Sequence, residues 1–181
     1  MKHLIYLDSE FTDLFAPELL SIGMVTADGQ EHYLELDRDD PVSAPTFAKV
    51  SEFVRHSGVL AQWGVVPESA TTAREMGRRT GQWLLDKTRG HGPLILAFDY
   101  VVDYELVEAA LRDAGLWDVV REVVLPLRVG VLTGTSTGEE AAEQCFAALR
   151  ARGLSRHHAL ADALALRTAH LAVSAQWGAS Q

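Results

Sequence analysis

Cys145 is the only cysteine among the 181 residues. No internal disulfide can form, so the chain must be held by packing, as suits a reducing compartment. Long apolar runs are also missing. No stretch reaches roughly 18 consecutive apolar residues, so no membrane-spanning helix is expected. The N-terminus has no basic segment leading into an apolar stretch and a small-residue cleavage site, which argues for the cytoplasm over secretion. Positive charge is scarce: 16 Lys and Arg stand against 25 Asp and Glu, a net charge of −9. That balance argues against a long basic groove for duplex nucleic acid. It stays compatible with a short, metal-assisted contact to a phosphodiester, because bound cations invert the local field.

Repeats, low-complexity tracts and interdomain linkers are absent from the sequence. With 48% hydrophobic and 23% charged residues, positions 1–181 are expected to form one globular domain with a sizeable core. Strands are predicted near 2–9, 18–26 and 30–37, with Asp28-Gly29 as a hairpin turn between the last two. The stretch SAPTFAKVSEFVRHSG predicts a short helix closed by Gly58. Pro67 suits the first turn of a long helix through about Thr88, which RGHG ends. PLILAF (93–98) reads as a central strand, followed by a helix from about 100 to 115. REVVLPL predicts a strand whose Pro126 favours an edge or an end. GTSTGEE lacks the Gly-Lys-Ser/Thr ending of a nucleotide-binding loop, and Ser136 with Glu139 fits a capping box for a helix near 137–152. A last helix spans about 156–176. The order of elements predicts a mixed sheet covered by helices.

The candidate chemistry begins in HLIYLDSEFTD, where an apolar strand runs into Asp8 and Glu10. Side chains alternate across a strand, so the two acids share a face if the strand continues. Burying two like charges there is costly unless a cation neutralises them. Alternatively, the strand stops at Leu7 and both acids are solvated. On the following helix, Asp103, Leu106, Val107 and Ala110 share one stripe, so Asp103 faces inward and needs a metal or a basic partner. Asp99 stands where strand gives way to helix, an N-cap position. In LSRHHALADALALRTAHLAV, His158 and Asp162 are i,i+4 neighbours able to pair on the surface. Positions 157 and 162 differ by about 140° if both are helical, so His157 faces Asp162 only from a junction before the helix. The remaining histidines show no metal-ligand spacing.

In order, the chain thus carries Asp8-Ser9-Glu10, a helical Asp103, and His157-His158-Ala159-Leu160-Ala161-Asp162. This order resembles the DEDDh group of 3′–5′ exonucleases, in the DnaQ-like branch of the ribonuclease H fold. Their motifs are Asp-x-Glu ending the first strand, a helical Asp, and His-x-Ala-x-x-Asp near the last helix. The resemblance implies an α/β fold, a ribonuclease H-like mixed sheet with helices on both faces. It also implies that Asp8, Glu10, Asp103 and Asp162 bind metal and that His157 is the general base. That reverses the local preference for His158 and requires the helix to begin near Ala159. Many members carry Asn where this chain has Asp99, an extra acid for the metal site or a helix cap. VRHSGVLAQWG bears a fainter similarity to the substrate-binding insert of oligoribonuclease-like members.

Oxygen-only ligands suit Mg²⁺ or Mn²⁺ better than zinc. Two such ions would activate a water and stabilise the leaving 3′ oxygen, releasing nucleoside 5′-monophosphates. Single-stranded RNA or 3′ overhangs are the expected substrates, with 3′–5′ DNA exonuclease action and a non-catalytic interaction domain as the alternatives. A homodimer is expected from the resemblance alone. Phe11 and Trp63 are either packing residues or base-stacking contacts, and Ser9 and Asp99 flank the expected site.

Overall fold

A computed structural model describes residues 3–89 and 92–178. Lys2, in the first predicted strand, and Gly90 and His91, in the predicted helix stop, lie outside them. The strands are β1 Leu4–Phe11, β2 Leu19–Thr26, β3 Glu31–Leu36, β4 Ala70–Thr71, β5 Leu94–Phe98 and β6 Val124–Arg128. They form one mixed sheet in the order β4-β3-β2-β1-β5-β6. β2 is antiparallel to β1 and β3, while β5 and β6 run parallel to β1 and to each other. The helices are α1 Ala44–Ala48, α2 Glu52–His56, α3 Ala73–Thr88, α4 Val101–Asp113, α5 Trp117–Val120, α6 Gly130–Thr133, α7 Ser136–Leu149 and α8 Ala159–Gly178.

The unbroken apolar run of β1 is explained by burial on both faces. Leu4 and Tyr6 pack with Val25, Ala97 and Ala163 of α8. Ile5 and Leu7 point the other way, into a cluster with Met76 and Leu84 of α3 and Val107 and Leu111 of α4. Each such side chain contributes about 1.5–3 kcal/mol when fully buried, so the centre of the sheet supplies much of the stability that holds the ends of β1 and β5 in place. No helix among the described residues is long and apolar enough to cross a membrane.

Small residues let α8 lie close to the sheet. A Cβ at Gly23 of β2 would fall on the backbone of Ala159 and Leu160. Gly23 pairs with Asp8 across the ladder, so this seat sets the height of α8 over the first acid. Gly23→Ala is expected to cost about 1–3 kcal/mol, seen as a melting temperature lower by ~2–12 °C. An unchanged melting temperature would contradict this seating.

Three local expectations are corrected. The long helix begins at Ala73, not at Pro67, because Ala70 and Thr71 pair with β3 and the Thr72 hydroxyl caps the Glu75 N–H. The predicted helix before Gly58 is split into α1 and α2, where the Ser51 N–H bonds to Thr12 O at 2.9 Å. Thr135, not Ser136, caps α7, its hydroxyl accepting from the Gly138 N–H. Pro126 lies on edge strand β6, where its missing N–H leaves no ladder bond unmade.

Candidate metal centre

β1 does not stop at Leu7. It stays paired through Asp8, Ser9 and Glu10, opposite Gly23, Ile22 and Ser21, with an irregularity only between Glu10 and Phe11. Asp8 and Glu10 therefore share the α8 face with Tyr6, while Ser9 points toward α4. The strand ends beside β5, since Leu7 pairs with Phe98. Two carboxylates are thus fixed at the carboxyl end of β1, beside the end of the parallel strand β5.

The third comes from α8. Oxygens of Asp8, Glu10 and Asp162 all lie within 4.8 Å of one another. Asp162 is oriented by the helix start: its Oδ2 accepts the His158 backbone N–H at 3.1 Å, and the His157 N–H also favours its ionised form. The three acids strain one another electrostatically. Burial, then the charges of Asp103, Asp162, Glu10 and Asp99, push Asp8 well above the carboxylate range. Burial followed by Asp162 and Asp103 raises Glu10 to about 8. Asp162 is raised to about 7, again chiefly by burial, despite its two N–H partners and nearby Arg156. Asp8 is deeply surrounded by protein but keeps an edge open to solvent, so an ion can still reach it.

Asp103 is brought to the same corner but not into this close set. It is 3% exposed, and its Oδ1 accepts both the Ser9 hydroxyl at 2.7 Å and the Ser9 N–H at 3.2 Å. Burial raises it to about 6, against the pull of these bonds. Ser9 thereby acts as a brace between β1 and α4. Asp99 is not the N-cap of α4; Tyr100 holds that position. Instead the Asp99 carboxylate lies against Gly130, whose lack of a side chain leaves the space, and its carbonyl accepts Arg128 Nε–H at 3.1 Å. Its charge still raises Asp8 and Asp103.

The histidines separate cleanly. α8 begins at Ala159, and His157 precedes it with φ of +61°, a left-handed conformation uncommon outside glycine. Its half-buried ring meets the exposed Phe53 edge-on, centroids 5.6 Å apart, and burial and Arg156 lower its pKa. His158 does not form the surface pair expected from i,i+4 spacing. Its ring is buried and stacked on Tyr33 at 4.4 Å, with both ring nitrogens unpaired, and burial lowers it to about 4. Only its backbone reaches Asp162.

Of the two aromatic candidates, Phe11 is half-exposed at the irregular end of β1, just past the acids. Trp63 packs edge-on against Phe47 at 5.6 Å, and its Nε1–H donates to Leu36 O at 2.8 Å, which gives it a structural task. Phe53 was not anticipated. With Val54 turned into the core, its neighbour on so short a helix has to face out, and that pattern is readable in EFVRH. No protein-family model matches the chain, and no curated protein matches it.

Proposed function

We propose that this protein is a metal-dependent 3′–5′ exonuclease of the DEDDh kind on a ribonuclease H-like sheet. Its proposed substrates are single-stranded RNA or 3′ overhangs. The observation that carries the proposal is the meeting of Asp8, Glu10 and Asp162 within 4.8 Å of one another, although all three are raised by burial and mutual repulsion. Such a cluster is costly for folding alone and suited to a divalent cation. The donor set is all carboxylate oxygen, which fits Mg²⁺ or Mn²⁺. Asp8, Glu10 and Asp162 would hold the metal directly, and Asp103, fixed at one oxygen by Ser9, would complete the acidic wall. When bound, divalent ions supply Lewis-acid polarisation of the phosphodiester and lower the pKa of water.

The chain's own groups do the rest. His157, neutral near pH 7 because its pKa is lowered, accepts the proton of the attacking water on a free imidazole nitrogen. The water oxygen bonds to phosphorus as the bond from phosphorus to the 3′ oxygen of the preceding nucleotide breaks; that oxygen takes a proton from solvent to become the 3′-hydroxyl of the shortened strand, and the terminal unit leaves as a nucleoside 5′-monophosphate. Phe11 and Phe53 flank the acids and His157 and offer faces to terminal bases, each stack contributing about 1–3 kcal/mol without base specificity. A net charge of −9 favours a short grip on a 3′ end over long duplex contact.

Comparing His157→Ala with His158→Ala tests the assignment on a labelled oligonucleotide. His157→Ala is expected to lower turnover about 10²–10⁴-fold with the fold intact. His158→Ala is expected to lose about 2 kcal/mol of stability through the emptied site against Tyr33, while the folded fraction keeps most of its turnover. The opposite pattern would show that the base has been assigned to the wrong histidine.

A further inference from the structure

Gln62 belongs to none of the acid motifs, yet it is 8% exposed and bonded through both ends of its amide. Its Oε1 accepts the Ser155 N–H at 2.7 Å. Its Nε2 donates to Arg156 O at 2.9 Å and to Gly58 O at 3.3 Å. Both far partners immediately precede His157, whose left-handed backbone has to be imposed by its surroundings.

Gln62 is itself anchored. It closes the 3-10 turn Leu60–Gln62, and the next residue, Trp63, is tied by its indole N–H to Leu36 O at 2.8 Å. Gly64 N–H then donates to Glu35 Oε1 at 2.8 Å. Glu35 is 1% exposed and also accepts the Tyr33 hydroxyl at 2.7 Å and the Ser69 hydroxyl at 3.1 Å. A continuous set of bonds thus runs from β3 through the 60–64 turn to the backbone before His157. On the other flank, Asp162 takes the N–H groups of His157 and His158.

We infer that Gln62 is the positioning residue for His157: it fixes the Ser155–Arg156 backbone from which the imidazole is presented beside the acid cluster. The inference deepens the exonuclease proposal and rests on it. Two backbone groups, one donor and one acceptor in adjacent residues, are held by one planar amide, which restrains rotation as well as translation. A buried glutamine that merely satisfied stray polar groups would matter for stability and not for turnover.

The test uses Gln62→Met, similar in size but unable to make these bonds, and Gln62→Glu, which keeps only the acceptor for Ser155. Amide hydrogen exchange at Ser155, followed by NMR, is expected to be about tenfold faster or more in Gln62→Met and close to wild type in Gln62→Glu. In Mg²⁺, kcat is expected to fall by roughly 10–100-fold in Gln62→Met with KM within about twofold, because binding groups stay while the base is misplaced. The Mn²⁺-induced rise in melting temperature is expected to be unchanged, since the acids are not moved. Wild-type kcat in Gln62→Met, or a fall matched by the loss of folded protein, would overturn the positioning role. If Gln62→Met does not fold, Gln62→Glu decides: a lowered kcat with Ser155 still protected supports the role, and a wild-type kcat overturns it. A wild-type protein inactive on every strand, with Ser155 exchange still accelerated in Gln62→Met, would instead overturn the exonuclease proposal and leave the backbone clamp standing.

Discussion

Asp8→Asn is expected to raise the melting temperature of the metal-free protein by about 2–8 °C, and to lower 3′–5′ turnover by about three orders of magnitude. The two effects have one cause. Burial and four neighbouring carboxylates all act against the ionised form of Asp8. Asn keeps the shape and has no proton to hold, so the cost of keeping Asp8 protonated near neutral pH, where the unfolded chain ionises it, disappears, a gain of about 1–2 kcal/mol. A structural aspartate paired with a cation would behave in the opposite sense, since its loss would strand a buried positive charge. With Mn²⁺ present the order should reverse, because wild type gains binding free energy that the variant forgoes. Calorimetry with and without Mn²⁺, beside a turnover assay, reads all of these. A metal-free melting temperature lowered by Asp8→Asn would undo the claim that the cluster is strained for the sake of a cation.

Raising the pH from 6.5 to 8.5 is expected to destabilise the metal-free protein and to enlarge the stabilisation by divalent metal. Glu10 at about 8, Asp162 at about 7, and Asp8, well above the ordinary range, hold protons in the folded state that the unfolded chain sheds near pH 4. A raised carboxylate contributes stability at low pH and loses it as pH climbs through the folded value. His158 and His32, both lowered to about 4 by burial, act with the other sign. Their contribution is lost as pH falls from about 6.5 toward 4, so it is constant across the chosen window. Glu10 and Asp162 together account for a loss of about 3 kcal/mol between pH 6.5 and 8.5, or ~6–12 °C. Metal binding must displace those protons, so the Mn²⁺-induced shift grows over the same range. A flat metal-free profile would mean that the acids are already ionised and unstrained.

Much of this site was legible because its parts follow short-range rules. Alternation along β1 puts Asp8 and Glu10 on one face, and the Asp103, Leu106, Val107 stripe turns Asp103 inward, as its 3% exposure shows. The hairpin at Asp28-Gly29 follows from turn chemistry, with Gly29 at φ of +91°. What escaped depends on contacts remote in sequence. β4 exists only because β3 offers a free edge, as in the Asp37 N–H to Thr71 O bond of 2.9 Å, and this delays α3 past Pro67. Asp99 resembles an N-cap locally, yet its carboxylate is set against Gly130, 31 residues further on. Helical spacing pairs His158 with Asp162, but the left-handed backbone of His157, two residues before the helix starts at Ala159, and the stacking of His158 on Tyr33 depend on contacts that spacing does not show. Gln62 reaches Ser155 across 93 residues, and no pattern of neighbours announces it.

The most direct test is digestion of matched 5′-labelled RNA and DNA oligomers in Mn²⁺ and then Mg²⁺, with Asp8→Asn alongside. A one-nucleotide ladder growing from the 3′ end, dependent on metal, strongest on RNA and absent in the variant, is the expected result. Intact strands in every lane, with folded wild-type protein and bound Mn²⁺ verified in the same tubes, would contradict the proposal that this acid cluster cuts nucleic acid.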